Sequence, residues 1–188
     1  VMSDASKQIE KLIADLSDSS RKKRQEAALA LADCSKDNAQ ALLPYGDDLV
    51  DALESRDART CWALIDVLTA MSSYDADLCV KALPGIEDAL FDENNGPLHL
   101  ASFRFLCSYG AQSPQASDNV WSLLDEAIQC FHGDQEFQDM LNLLVDFSLG
   151  NLSAETKKSF SDRMLFDARN NRGLTQRRAQ TIVDNLAK

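Results

Sequence analysis

The sequence predicts an all-α fold: a solenoid-like stack of about four helix pairs, closed by a lone helix at each end. Three observations predict it. Asp51, Asp88, Asp125 and Asp162 recur every 37 residues. Two apolar columns recur beside them: Leu12, Leu49, Ile86, Leu123 and Phe160, then Leu16, Leu53, Leu90, Ala127 and Met164. Breakers are few, with seven glycines and four prolines in 188 residues, and they fall between the columns. Self-similarity at such a period marks units that bury their apolar faces only against neighbouring units.

The elements follow from local signals. Residues 5–17 read as a first helix with Ile9, Leu12, Ile13 and Leu16 on one face. Ser19 or Ser20 caps a helix over 21–34, with Ala27, Leu31 and Cys34 on one side. Asp37 is the next expected N-cap. Pro44 starts or kinks a helix running to about 54, because proline fits a first turn and not a helix interior. Whether the stretches before Pro44 and Pro84 are separate helices stays open at this point. Asp57 opens a helix over 58–72 with Leu64, Val67, Leu68 and Met71 inward. Asp75 caps the segment that passes Pro84 to Phe91, and the linker DENNG follows. Pro97 suits the first turn of a helix over 97–109, which Gly110 is expected to end in a left-handed cap. Ser117 is expected to cap 118–132, Gly133 to close it, and Asp134 to cap 135–149. Gly150 closes that helix, Ser153 caps 154–169, and Gly173 and Thr175 bracket a last helix over 176–187. That last helix crowds Gln176, Arg177, Arg178, Gln180 and Asp184 on one side, leaving Ile182, Val183 and Leu186 to pack. The reading is a single domain over 1–188, with repeats at about 20–55, 56–93, 96–132 and 134–170 and capping helices at 5–17 and 175–187.

Composition narrows the function classes. Hydrophobic content of 45% suits a folded chain. Val1 ahead of Met2 reads as an added residue, with Met2 as the native start. The polar stretch after it lacks a signal-peptide core. No stretch approaches the roughly 18 apolar residues of a membrane span, so a cytoplasmic protein without membrane contact is expected. The five cysteines form no CxxC pair and are expected to be reduced, buried thiols. Net charge is −11, unevenly spread: residues 25–156 hold 23 acids against 5 bases, and residues 157–188 hold 8 bases against 3 acids. A field of this sign repels nucleic acid and attracts cationic partners.

Residues 26–68 carry a further signal: EAALALADCSKDNAQALLPYGDDLVDALESRDARTCWALIDVL. An Ala/Leu helix, an Asp-Asn turn, a Pro-Gly break and a Leu-rich helix ending in Glu-Ser-Arg-Asp resemble the armadillo and HEAT repeat superfamily. The resemblance spans about residues 20–170. It implies a right-handed α-α superhelix in which the second helix of each unit lines an inner, concave face. The period is a few residues short for armadillo, Gly46 has no counterpart in the third and fourth units, and the asparagine ladder of importin-type armadillo proteins is missing. Their peptide-gripping activity is therefore not carried over.

On that scaffold the aspartates form a row. Leu49 and Leu53, four apart, face the core together, so Asp51 between them points away. The same holds for Asp88, Asp125 and Asp162, and helices packed 8–10 Å apart set them at steps of roughly 10 Å. Asp47, Asp48, Glu87, Asp118 and Glu126 add charge, and Phe91 adds an aromatic edge. One reading is an acidic groove, formed by Asp47, Asp51, Glu87, Asp88, Phe91, Asp118, Asp125 and Asp162, for a basic helix, tail or loop of a protein partner. The other is a solvated face.

Arg21, Lys22, Lys23 and Arg24 form a secondary basic patch at a helix start, where cations oppose the helix dipole; Asp15 and Asp18 are near enough to compensate. Arg169, Arg172, Arg177 and Arg178 suit phosphate, or head-to-tail docking on the acidic body of another copy. His99, expected half-exposed, and His132 complete neither a metal set nor a triad, so no cofactor, metal or catalytic residue is expected. Trp62 reads as partly exposed, packed against the next repeat, and Trp121 as core. The expected function is a non-enzymatic scaffold or adaptor. The alternatives are a structural subunit or assembly factor of a larger complex and, more remotely, a HEAT-like DNA-repair glycosylase, which needs the opposite charge.

Overall fold

The computed structural model describes residues 3–55, 57–93 and 95–188, and every regular element among them is helical. Val1, Met2, Arg56 and Asn94 lie outside the described residues. The expected start at Met2, and the Asn94 position of the DENNG linker, therefore do too.

The chain forms two compact units, Val1–Phe105 and Leu106–Lys188. The first contains α1 (Asp4–Asp15), α2 (Arg21–Asn38), a 3-10 segment (Ala39–Tyr45), α3 (Gly46–Asp51) with a 3-10 turn (Ala52–Glu54), α4 (Ala58–Met71) and α5 (Ala76–Leu90). Helix α6 (Gly96–Gly110) begins in the first unit and ends in the second. The second unit continues with α7 (Pro114–Phe131), α8 (Phe137–Phe147), α9 (Ala154–Asn170) and α10 (Gly173–Leu186).

Short polar side chains open the helices. Ser3, Ser20, Asp57, Asp75, Ser113 and Ser153 each accept a hydrogen bond from a backbone N–H of the first turn. Such a cap satisfies a donor that the helix leaves without a partner. Three expected caps do something else. Asp37 lies inside α2, which runs on to Asn38. Ser113, with Pro114 behind it, opens α7 one turn ahead of Ser117. Ser117 is buried, donates to the Pro114 carbonyl, and accepts from the Ser153 N–H. Asp134 offers its backbone carbonyl to Phe137, and α8 starts after Glu136 without a side-chain cap.

Gly110 ends α6 as expected but without the left-handed cap expected of it, and both it and Gly150 allow close approach. Positive φ among the described glycines occurs at Gly133 and Gly173, not at Gly110 or Gly150. A Cβ on Gly110 would run into Val120 and the Phe147 ring. A Cβ on Gly150 would lie 2.8 Å from the Ala111 Cα, where the Asn151 N–H donates to the Ala111 carbonyl at 2.8 Å. A flat backbone surface is needed at both, which the sequence cannot distinguish from a helix stop.

The prolines resolve the open question unevenly. Pro44 sits in a 3-10 segment distinct from α2, whereas Pro84 lies inside the continuous helix α5. The first repeat thus has a 3-10 segment between its two α-helices, which the second repeat lacks.

Within each unit, helices pack on the helix one repeat away. In the first unit α2 packs on α4 and α3 on α5; in the second, α7 packs on α9 and α8 on α10. The apolar columns supply these contacts: Leu49, Ile86, Phe160, Leu90, Ala127 and Met164 are at 0% exposure, while Leu12 and Leu123 are half-buried. Polar stitches run at nearly the same spacing. Gln25 donates to Asp57, Arg104 pairs with Asp66, Gln138 donates to Thr175, and Asn185 donates to Ser148.

Asp57 serves twice, as cap of α4 and as acceptor from Gln25 on α2. Burial would raise its pKa. Hydrogen bonds from Gln25, Thr60 and the Arg59 and Thr60 N–H groups outweigh that and hold it below the usual value. The sign follows: a lowered folded-state pKa gives stability that is present above the unfolded pKa and lost as pH falls through the folded one. Asp57→Ala is expected to lose about 1–2 kcal/mol in urea unfolding at neutral pH, with less difference from wild type in acid. Gly150→Ala is expected to lose about 1–3 kcal/mol through the clash with Ala111, measured the same way.

Candidate functional site: an acidic cleft in the first unit

The structure places the aspartate row in two different situations. Asp51 and Asp88 are exposed, in keeping with their position between buried leucines and isoleucine. Together they line a cleft of about 400 Å³ in the first unit. Asp51 stands at the end of α3 and Asp88 on the last turn of α5, and the two helices pack together. Glu54 and Asp92, both exposed, line the same cleft. Its apolar lining comes from Leu53, Pro84, Ala89 and Leu98, with Cys61 among them.

None of the four carboxylates pairs with a cation among the described residues. The cation that lines the cleft, Lys81, is held by Asp47 at 3.1 Å, and this hydrogen bond and charge raise the Lys81 pKa. The helix ends reinforce the negative potential. Glu54 closes the 3-10 turn after α3 and Asp92 follows the C-cap of α5. Helix C-termini present partly negative carbonyls, so carboxylates there are disfavoured by about 0.3–1 kcal/mol each. The cleft thus gathers four carboxylates that no cation among the described residues neutralises. Cys61 reports the charge: burial first, then the charges of Asp57 and Asp92, push its thiol up to about 11. Its Sγ lies 3.2 Å from the Leu53 carbonyl, as a donor.

The remaining candidates are placed elsewhere. Glu87 is exposed and Phe91 half-buried at the end of α5; neither lines the cleft. In the second unit Asp118 and Asp125 serve the stacking, and Asp162 forms an exposed pair within its own helix. Asp118 accepts from the Ser153 and Thr156 hydroxyls of α9. Asp125 takes two hydrogen bonds from the Arg163 guanidinium, which raises the Arg163 pKa. Asp162 pairs with Lys158 one turn away at 3.0 Å. The structure therefore brings Asp51 and Asp88 together and adds Glu54 and Asp92, which the 37-residue period had not singled out. Their signal was nonetheless present: both are acids just past the end of a second helix, 38 residues apart.

The basic patch is internally compensated. Lys23 pairs with Asp18 at 3.1 Å, Lys22 with Glu26 at 3.8 Å, and Arg24 donates to the Asp18 and Ser19 carbonyls; Arg21 is exposed. The Ser20 N–H and then Lys23 lower the Asp18 pKa. The histidines also differ from expectation. His99 is buried, its Nε2 close to the Asp92 carbonyl, because the turn after α5 folds back on α6. His132 bonds to the buried Asp167 at 2.9 Å and lies against the Phe137 ring. Trp62 and Trp121 are both half-buried, Trp121 against Phe160 with ring centroids 5.0 Å apart. Cys61, Cys79 and Cys107 are buried, Cys34 is half-buried, and Cys130 is exposed rather than buried, one residue before the end of α7. Among the described residues no cluster of metal-ligating side chains occurs, and no helix is long and apolar enough to cross a membrane.

No protein-family model matches the sequence, and no curated protein matches it. Solved structures do match in fold. An engineered protein aligns with a TM-score of 0.72 over 96% of this chain at 16% identity, and the chain spans 48% of its length. A designed armadillo repeat protein in complex with the peptide (KR)4 aligns with a TM-score of 0.72 over 96% of this chain and 86% of its own, at 15% identity. A computationally designed armadillo repeat protein for modular peptide recognition aligns with a TM-score of 0.70 over 95% and 86%, at 14% identity. Periodic sequence, repeat-on-repeat packing and these likenesses agree, and the chain has the armadillo/HEAT-like α-solenoid repeat fold.

Proposed function

We propose that this protein is a non-enzymatic interaction module, a scaffold or adaptor that holds a basic segment of a protein partner in the acidic cleft of its first unit. One observation carries the reading: Asp51, Glu54, Asp88 and Asp92 line one cleft together with apolar side chains and pair with no cation among the described residues. Lys and Arg side chains match such a surface, because their stems cover apolar area while their heads reach carboxylates. Asp47, Glu87 and Phe91 border the proposed contact on α3 and α5. Asp118, Asp125 and Asp162 of the second unit have a weaker role in this reading, because the fold already engages them. That a fold neighbour was solved with (KR)4 supports a basic peptide as the ligand class. The reading treats residues 1–188 as one solenoid domain working in the cytoplasm.

Each exposed ion pair contributes only about 0.2–1 kcal/mol, so several must act together and salt must weaken them. In a calorimetric titration, (KR)4 is expected to bind the wild-type protein and to weaken as salt rises from about 0.05 M to about 0.5 M. Reversing Glu54 and Asp88 to lysine is expected to lower affinity at least about tenfold. Asp125→Lys is expected to act chiefly on stability, by breaking the Arg163 pair. Equal affinity in the Glu54/Asp88 variant, or a mobility shift with duplex DNA in place of peptide binding, would contradict the reading.

A further inference from the structure

We infer that a second copy of this chain is an occupant of the cleft: the basic turn between α9 and α10 of one copy docks into the acidic cleft of the next. The inference rests on the proposed cleft and adds the identity of a partner. Its observation is charge complementarity between two surfaces of the same chain.

Arg169, Arg172 and Arg177 are exposed around the α9–α10 turn. Their guanidinium groups pair with no carboxylate among the described residues. The nearby cations are already engaged: Arg178 donates to the carbonyl and side-chain oxygens of Gln138 at 2.9 and 2.8 Å, and Arg163 is held by Asp125. The acid of this turn, Asp167, is 3% exposed and bonded to His132 and Asn171. The turn is therefore a compact positive surface on a chain with a net charge of −11.

The cleft is its opposite: four exposed carboxylates with no paired cation among the described residues, a lining lysine, Lys81, already held by Asp47, and apolar side chains beside them. The basic run near the N-terminus is the rival occupant within the chain. It is disfavoured because Lys22, Lys23 and Arg24 are bonded to their own Asp18–Glu26 stretch. The two surfaces use different residues, so docking is heterologous and a docked pair keeps one unfilled cleft on one copy and one unfilled turn on the other. The contact is small and electrostatic, which makes the association weak and salt-sensitive.

Sedimentation velocity over a concentration series tests it. Wild-type protein at about 0.05 M salt is expected to show a weight-average mass that rises with concentration, and at about 0.5 M salt to stay monomeric. Arg169→Glu/Arg172→Glu/Arg177→Glu is expected to weaken self-association at least about tenfold. Mixing that variant with the Glu54→Lys/Asp88→Lys variant recreates opposite charges between the two reversed surfaces, and is expected to restore association that neither variant shows alone. Circular dichroism of each variant confirms folding, and all the altered residues are exposed. A wild-type mass independent of concentration at low salt overturns the inference, as does undiminished association of the triple variant. Titration of the same preparations with (KR)4 separates the two readings. A monomer that binds the peptide loses only the self-docking, whereas a protein that neither binds the peptide nor associates loses the cleft as well.

Discussion

Burial of each helix against its counterpart one repeat away is the constraint on which the structure depends. No helix pair here covers its own apolar face. α3 needs α5, and α7 needs α9, so the leucine and isoleucine columns recur at the repeat interval. The polar bonds obey the same rule. Gln25 to Asp57, Asp118 to Thr156, and Gln138 to Thr175 each join residues roughly one repeat apart. A buried or half-buried polar group without its neighbour would pay the desolvation penalty. The stacking thus selects both residue type and interval.

That rule also explains why one row of aspartates has two fates. The position that Asp51, Asp88, Asp125 and Asp162 share lies opposite buried positions of its helix, so polarity recurs there. What meets the carboxylate depends on the facing repeat. In the second unit Arg163 of α9 answers Asp125 across the repeat, Lys158 answers Asp162 within α9, and Ser153 and Thr156 answer the neighbouring Asp118. Facing Asp51, α5 and the turn after it supply Asp88 and Asp92 instead, and Lys81 reaches Asp47. Negative charge therefore accumulates where the fold gains nothing from it, which is the physical basis for assigning a ligand to that place.

Much of the fold was legible because side-chain periodicity and capping chemistry are local. The apolar columns, the caps Ser20, Asp57, Asp75 and Ser153, and the inward set Leu64, Val67, Leu68 and Met71 are readable from spacing alone, and the structure has them. What spacing could not reveal depends on contacts between repeats. Gly110 and Gly150 carry the composition of helix stops but serve close packing. Ser117 has the look of a cap and is a buried acceptor. For the site, the period pointed to Asp51 and Asp88 but weighted Asp125 and Asp162 equally, because pairing of Asp125 with Arg163 is decided by three-dimensional proximity; the Lys158–Asp162 pair, four residues apart on one helix, was legible in the spacing. Glu54 and Asp92 fall one residue out of step with each other, so a strict period passes over them.

The central claim is that the unneutralised acids of the first unit, and not the acidic composition as a whole, select a basic ligand. Backbone amide NMR of the uniformly labelled protein titrated with (KR)4 tests it most directly. The account predicts shifts concentrated at Asp51, Glu54, Asp88 and Asp92 and their neighbours, saturating together. Shifts centred on α7 and α9 around Asp125 and Asp162, or spread evenly over every acidic stretch, would contradict it.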